Sequence, residues 1–161
     1  MPGRRPRIGD VFEIALSDGR MAYGQYVQWN ELMGPAIWVF DYLPEKTAEA
    51  GDILAAVGTA HILFGPVFTG LFAAIRTGLW RIVGHAEVRG LRPLRFLTVH
   101  DENYVPLGPW GLWDGESTRS LGRDLPSQYK HLELLIGWHP DSIRRRIETG
   151  ENPYERMIKA G

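Results

Sequence analysis

The 161-residue sequence has no cysteine. That excludes a disulfide scaffold, a thiolate zinc site and a cysteine nucleophile, and it suits a reducing compartment. Nor is there an excess of charge of either sign: 18 Lys and Arg against 19 Asp and Glu leave a net charge of −1. The molecule as a whole is therefore no electrostatic glue for nucleic acid. Glycine-rich phosphate loops are missing in both common forms, and Gly108-Pro109-Trp110-Gly111 is too short to serve, its proline lacking the N–H a phosphate needs. No serine stands in a Gly-x-Ser-x-Gly elbow, since Gly115-Glu116-Ser117-Thr118 lacks the second glycine. The five histidines (His61, His85, His100, His131, His139) form no i, i+4 pair of the zinc-enzyme kind. Residues 53–75 carry no Asp, Glu, Lys or Arg, a run long enough to cross a bilayer. Gly58, His61, Gly65, Pro66, Thr69 and Gly70 break it into pieces that read as buried core. Arg4, Arg5 and Arg7 open the chain, but Asp10 and Glu13 leave no apolar signal core behind them. The expectation is a soluble cytoplasmic protein with no cofactor, no metal and no membrane partner.

What the sequence does contain is an ordinary globular composition, 44% hydrophobic and 23% charged, which excludes a disordered chain. A chain of this length buries about 70% of its unfolded surface without staples. We expect one domain over residues 1–161, with 1–7 as a flexible basic arm. Phe12, Ile14 and Leu16 alternate on one face, and Met21, Tyr23, Val27 and Trp29 alternate after Ser17-Asp18-Gly19-Arg20. The Asp-Gly pair predicts a two-residue hairpin turn. Residues 36–42 read as a third, more buried strand, and 45–57 are ambiguous between loop and helix. Residues 64–68 read as extended, 70–76 as a helical turn, and 79–83 and 96–100 as strands. Residues 103–122 read as a Gly- and Pro-rich loop with a strand piece near Trp113, and 132–138 as a return to the sheet. Pro140–Thr149 reads as a helix capped by Asp141 and stopped by Gly150, and 153–160 as a final short helix behind Asn152. The fold class is α+β: a mainly antiparallel, strongly curled and barrel-like sheet, a short mid-chain helix and one or two C-terminal helices.

Chemistry is sparse. His100-Asp101-Glu102 is the densest titratable group, and on a strand His100 and Glu102 share one face, as acid–base work requires. The plainer reading is a polar strand end. Arg144, Arg145 and Arg146 spread around a helix rather than forming one patch, with Glu148 one turn from Arg144. Trp29, Trp38 and Trp80 sit in apolar, strand-like contexts and read as core. Charge is unevenly placed: residues 76–95 balance at +4 and residues 96–118 at −4. The acidic block contains Asp101, Glu102, Asp114 and Glu116 together with Tyr104, Trp110 and Trp113. The two tryptophans either fold the loop onto the sheet or anchor a protein interface. These seven residues are the candidate partner-binding site. No catalytic set stands out.

Ile8-Gly9-Asp10-Val11-Phe12, Asp18-Gly19 and Ala22-Tyr23-Gly24-Gln25-Tyr26-Val27, then Val39-Phe40-Asp41, Phe68-Thr69-Gly70-Leu71-Phe72-Ala73-Ala74-Ile75 and Gly78-Leu79-Trp80-Arg81-Ile82-Val83-Gly84 resemble the Immunity protein 26 family in order and spacing. The resemblance covers roughly residues 7–100. It implies a non-enzymatic antidote of a bacterial polymorphic toxin system, cytoplasmic, binding a cognate toxin domain that is often a nuclease. The same opening also resembles small barrel ribonucleases of toxin–antitoxin pairs, whose basic residue and hydroxyl have no convincing counterpart here. Ser17 and Arg20 flank a turn and are better explained by it. The alternative function is thus a small nucleic-acid-processing enzyme using His100 and Glu102, or a ligand-binding module.

Overall fold

The structure is a computed structural model, and it describes residues 4–46, 48–99 and 109–161. It divides into two compact units. The first comprises Met1–Leu91 with Gly137–Gly150, and the second Arg92–Ile136 with Glu151–Gly161.

In the first unit, β1 (Asp10–Ala15) and β2 (Met21–Asn30) form the expected antiparallel hairpin. Its loop has three residues, not two. Leu16 N–H donates to the Arg20 carbonyl, and Gly19 takes a φ of 89° that a side chain would resist. Asp18 accepts from the Arg20 backbone N–H and side chain, so the local hydrogen bonding selects the wider loop. Next come β3 (Gly34–Phe40), α1 (Ala50–Val57), β4 (Ile62–Thr69), α2 (Leu71–Arg76) and β5 (Trp80–His85). The ambiguous stretch 45–57 thus contains a helix and the expected helical turn at 70–76 is present, and α1 and α2 each pack against β5.

The sheet order is β5-β1-β2-β3-β4, completed by a two-residue strand at Gly137–Trp138 that pairs parallel to β4. A barrel requires the first and last strands to pair. Here the outer strands are β5 and this two-residue piece, which are not hydrogen-bonded neighbours, so the sheet is open. The expected strongly curled, barrel-like sheet is thereby corrected. The strands Phe96–Val99, Trp110–Trp113 and Thr118–Gly122, which could have lengthened the sheet towards closure, make a separate antiparallel one instead.

The core of the first unit is aromatic. Trp80 is 3% exposed and stacks on Phe12 at 5.2 Å between centroids, and Trp38 is 5% exposed. Trp29 departs from expectation: it is 41% exposed. The β2–β3 register shifts between Tyr26 and Gln28. A bulge inserts one residue and breaks the two-residue alternation, so Trp29 no longer shares the face that Tyr23 predicts for it. Further along, α3 (Pro140–Thr149) ends at Gly150 in the left-handed conformation, φ 73°. His139, not Asp141, caps its start: the His139 Nδ1 accepts from Asp141 N–H, while the Asp141 carboxylate accepts from Arg144. The three arginines diverge as expected. Arg144 binds Asp141, Glu148 and the Ser17 hydroxyl, Arg145 leans towards Asp141, and Arg146 lies over the Phe64 ring at 4.0 Å.

In the second unit, we label the strands β6 (Phe96–Val99), β7 (Trp110–Trp113) and β8 (Thr118–Gly122), and in chain order the piece Gly137–Trp138 becomes β9. All four residues of β7 are buried. Of the stretch 103–122 expected to be loop, 103–108 lie outside the described residues, and 110–122 form a hairpin. A short 3-10 turn at Ser127–Tyr129 and α4 (Glu155–Ala160) complete the unit. The expected start at 153 is corrected to Glu155: the Asn152 carboxamide accepts from Tyr154 N–H in a turn ahead of α4, and Tyr154, which makes no side-chain cap bond, stands at its N-cap. No helix among the described residues is long and apolar enough to cross a membrane. Residues 53–75 supply α1, β4 and α2 instead.

Candidate functional site

Four of the seven expected interface residues lie on the β7–β8 hairpin. Asp101, Glu102 and Tyr104, with His100 of the enzymatic alternative, lie outside the described residues. Trp110 and Trp113 are 1% and 4% exposed. Trp113 meets the Phe96 ring edge-on at 5.9 Å, across the β6–β7 pair. Both tryptophans are thus packed within the β6–β7–β8 sheet, next in the chain to the β7–β8 turn. The turn itself is Gly115-Glu116. Asp114 N–H donates to the Ser117 carbonyl, and Gly115 has a φ of 104°. The Asp114 carboxylate accepts from the backbone N–H of Glu116 at 3.0 Å and of Ser117 at 2.9 Å. Those backbone donors, Ser117 first, hold the Asp114 pKa below its ordinary value. The result is a rigid, exposed tip carrying two carboxylates, Asp114 and Glu116.

A second arrangement, which sequence reasoning missed, surrounds Asp10 at the start of β1. Asp10 is fully buried. It accepts two hydrogen bonds from the Arg4 guanidinium (2.8 and 2.9 Å), one from Arg7 N–H (2.7 Å), and meets His85 Nδ1 at 3.0 Å. Burial alone would raise its pKa. The bonds from Arg4, Arg7 and His85 together outweigh that and hold the carboxyl below its ordinary value. Beside it, Gln25 is 2% exposed and donates to the carbonyls of Gly9 and Ala86, while accepting from the Trp38 indole N–H at 3.1 Å. The signal was a polar residue where the strand alternation demands core: Gln25 falls between Tyr23 and Val27 in the series Met21, Tyr23, Val27, Trp29. Gln25 also floors a pocket of about 210 Å³ walled by Trp38, Phe40, Leu54 and Ile62. Its amide is already spent on Gly9, Ala86 and Trp38, so the polar side chains left to the pocket are Glu87 and Arg89.

Ser17 and Arg20 are likewise committed to structure. Ser17 N–H donates to Glu148, and Arg20 pairs with Asp18 at 2.8 Å. Among the described residues no group of three His, Asp or Glu side chains could hold a metal ion.

A family model described as Immunity protein 26 matches residues 7–102. The chain belongs to the Immunity protein 26 family. No curated protein and no solved structure matches it. The stretch matched as Immunity protein 26 runs from β1 through β6, so it contains Asp10, Arg7 and His85 but not Arg4, together with Gln25 and the pocket, and it stops before the acidic turn. Within that stretch the motif residues act as structure. Asp10 ties the N-terminal segment to β5. Gln25 ties β2 to the backbone of Gly9 and Ala86 and to the Trp38 indole on β3. The Thr69 hydroxyl donates to the Trp138 carbonyl at 2.7 Å, and Trp80 stacks on Phe12.

Proposed function

We propose that this protein is an antidote that binds and neutralises a cognate toxin domain in the cytoplasm of the cell that makes the toxin, without catalysis of its own. Membership of the Immunity protein 26 family over residues 7–102 carries this reading. Two further observations support it. The buried polar groups described in the matched region, Asp10, Gln25 and Thr69, spend their hydrogen bonds on the chain's own backbone and side chains, as a rigid scaffold requires. The β7–β8 tip presents Asp114 and Glu116 on a fixed turn, which suits a cationic phosphate-binding cleft. A nuclease toxin would supply such a cleft, and the acidic tip, with Asp101, Glu102 and Tyr104, would enter its field.

Co-expression with the C-terminal domain of the toxin encoded beside this chain's gene tests the reading. The expected outcome is rescue of growth and a complex that co-purifies. In parallel, RNA and DNA incubated with the purified protein should remain intact. Turnover abolished by His100→Ala but not by a surface control would replace the antidote reading with the enzymatic one.

A further inference from the structure

Trp29 and its surroundings form a preorganised surface that the core of the fold does not use. The indole lies parallel to the Phe72 ring of α2, 5.9 Å between centroids and 11° between planes. Phe72 is held from behind by the edge of Tyr26, which is 4% exposed. The Arg5 guanidinium sits 5.2 Å from the Phe72 centroid. The neighbouring β2–β3 turn is equally fixed: Asn30 Oδ1 accepts from the backbone N–H of both Leu32 and Met33, leaving Leu32 75% exposed at the tip. An exposed tryptophan on a rigid base, beside an arginine and a projecting leucine, has the composition of an interface hot spot, and its rigidity lowers the entropy lost on binding.

Charge selects the occupant. Arg5 flanks Phe72, and Arg76 stands one helical turn beyond it on the same face of α2. Both are exposed, and neither has a carboxylate partner among the described residues. Glu31, which accepts from the Trp29 indole N–H at 3.3 Å, is the one carboxylate shown in contact with the platform. We propose that the Trp29–Phe72 platform docks an acidic segment of the toxin, with an apolar side chain laid over Trp29 and Leu32 and carboxylates meeting Arg5 and Arg76. This rests on the antidote reading and adds a contact opposite in charge to the acidic tip. A protein is favoured over a nucleic-acid strand because one exposed indole stacks one base at most, and the chain carries a net charge of −1.

The experiment titrates a catalytically inactive C-terminal domain of the adjacent toxin against the full chain and three variants: Trp29→Ala, Leu32→Asp and Arg5→Glu/Arg76→Glu. Trp29→Ala and Leu32→Asp should each weaken binding, the first by at least about thirtyfold. The double arginine reversal should slow association far more at low salt than at high salt. Leu32→Asp changes a tip side chain that supports no core, so its loss of binding cannot be ascribed to unfolding. Wild-type binding with all three variants within twofold overturns the platform and leaves the antidote reading standing. No binding by the wild type overturns both. If Trp29→Ala instead abolishes binding to a labelled oligo(dT) and spares the toxin domain, the surface serves nucleic acid and the proposal fails.

Discussion

Replacing Asp10 by alanine, set against replacing Arg4, separates what burial contributes from what a surface ion pair contributes. Asp10 is fully buried, whereas the Arg4 side chain is 48% exposed. Truncating Arg4 removes two hydrogen bonds but leaves Asp10 with Arg7 N–H and His85, and solvent screens what is lost. The cost should stay under about 1 kcal/mol. Truncating Asp10 leaves the Arg7 N–H without its acceptor, frees His85 from β1 and opens a void beneath the N-terminal segment. The expected loss is about 3 kcal/mol, or about 6–12 °C in melting temperature for a chain this long. Asp10→Asn keeps one acceptor oxygen and should fall between the two. Because the native carboxyl titrates below its unfolded value, its contribution is fully present at neutral pH and is lost as pH falls through the native pKa. The gap between wild type and Asp10→Ala in urea denaturation should therefore be constant down to about pH 5 and begin to narrow only below about pH 4, the ordinary Asp range, as pH falls towards the depressed native pKa. Equal losses from Arg4→Ala and Asp10→Ala, or a gap that widens in acid, would refute this assignment.

Trp80→Ala removes a ring stacked on Phe12 and should cost about 3–5 kcal/mol, read from urea unfolding. Trp113→Ala should lower the melting temperature before it alters any contact with a partner, because its ring is packed on Phe96; unchanged stability with weakened toxin binding would show a direct contact instead. Glu116→Lys, whose backbone N–H and not its side chain serves the turn, should slow toxin association at low salt and much less at high salt, measured by stopped-flow.

The parts of the fold written locally were legible in the sequence. Asp18-Gly19 marked the first hairpin and Gly150 the end of α3, because turns and caps are decided by residues a few positions apart, while Asn152 marked only the turn ahead of α4. The loop length between β1 and β2 was missed by one residue, since the Asp18 carboxylate binding Arg20 competes with the tighter turn. Features set by distant partners were not legible. Trp29 left the predicted face because of a bulge two residues earlier, which no periodicity announces. Trp110 and Trp113 looked like loop residues among glycine and proline, and only the Phe96–Trp113 pairing, 17 positions apart, makes them core. The acidic character of the site was visible in the charge counts, whereas its rigidity depended on the Asp114 carboxylate closing a turn. The Asp10 cluster escaped notice because Arg4, Asp10 and His85 come from three separate places in the chain.

The parallel pairing of β4 with β9 also fixes an order of events. Thr69 finds its neighbour Trp138 only after the whole stretch Arg92–Ile136, which belongs to the other unit, has been made. At bacterial or eukaryotic synthesis rates that is a wait of roughly 3–14 s. Throughout it the Phe68–Thr69 end of the β4 edge lacks the strand that pairs with it, and such an edge is open to another strand. The short β9 is thus a late seal on the nascent sheet. A chain cut before Gly137 would lose that seal and leave the Phe68–Thr69 edge open to self-association.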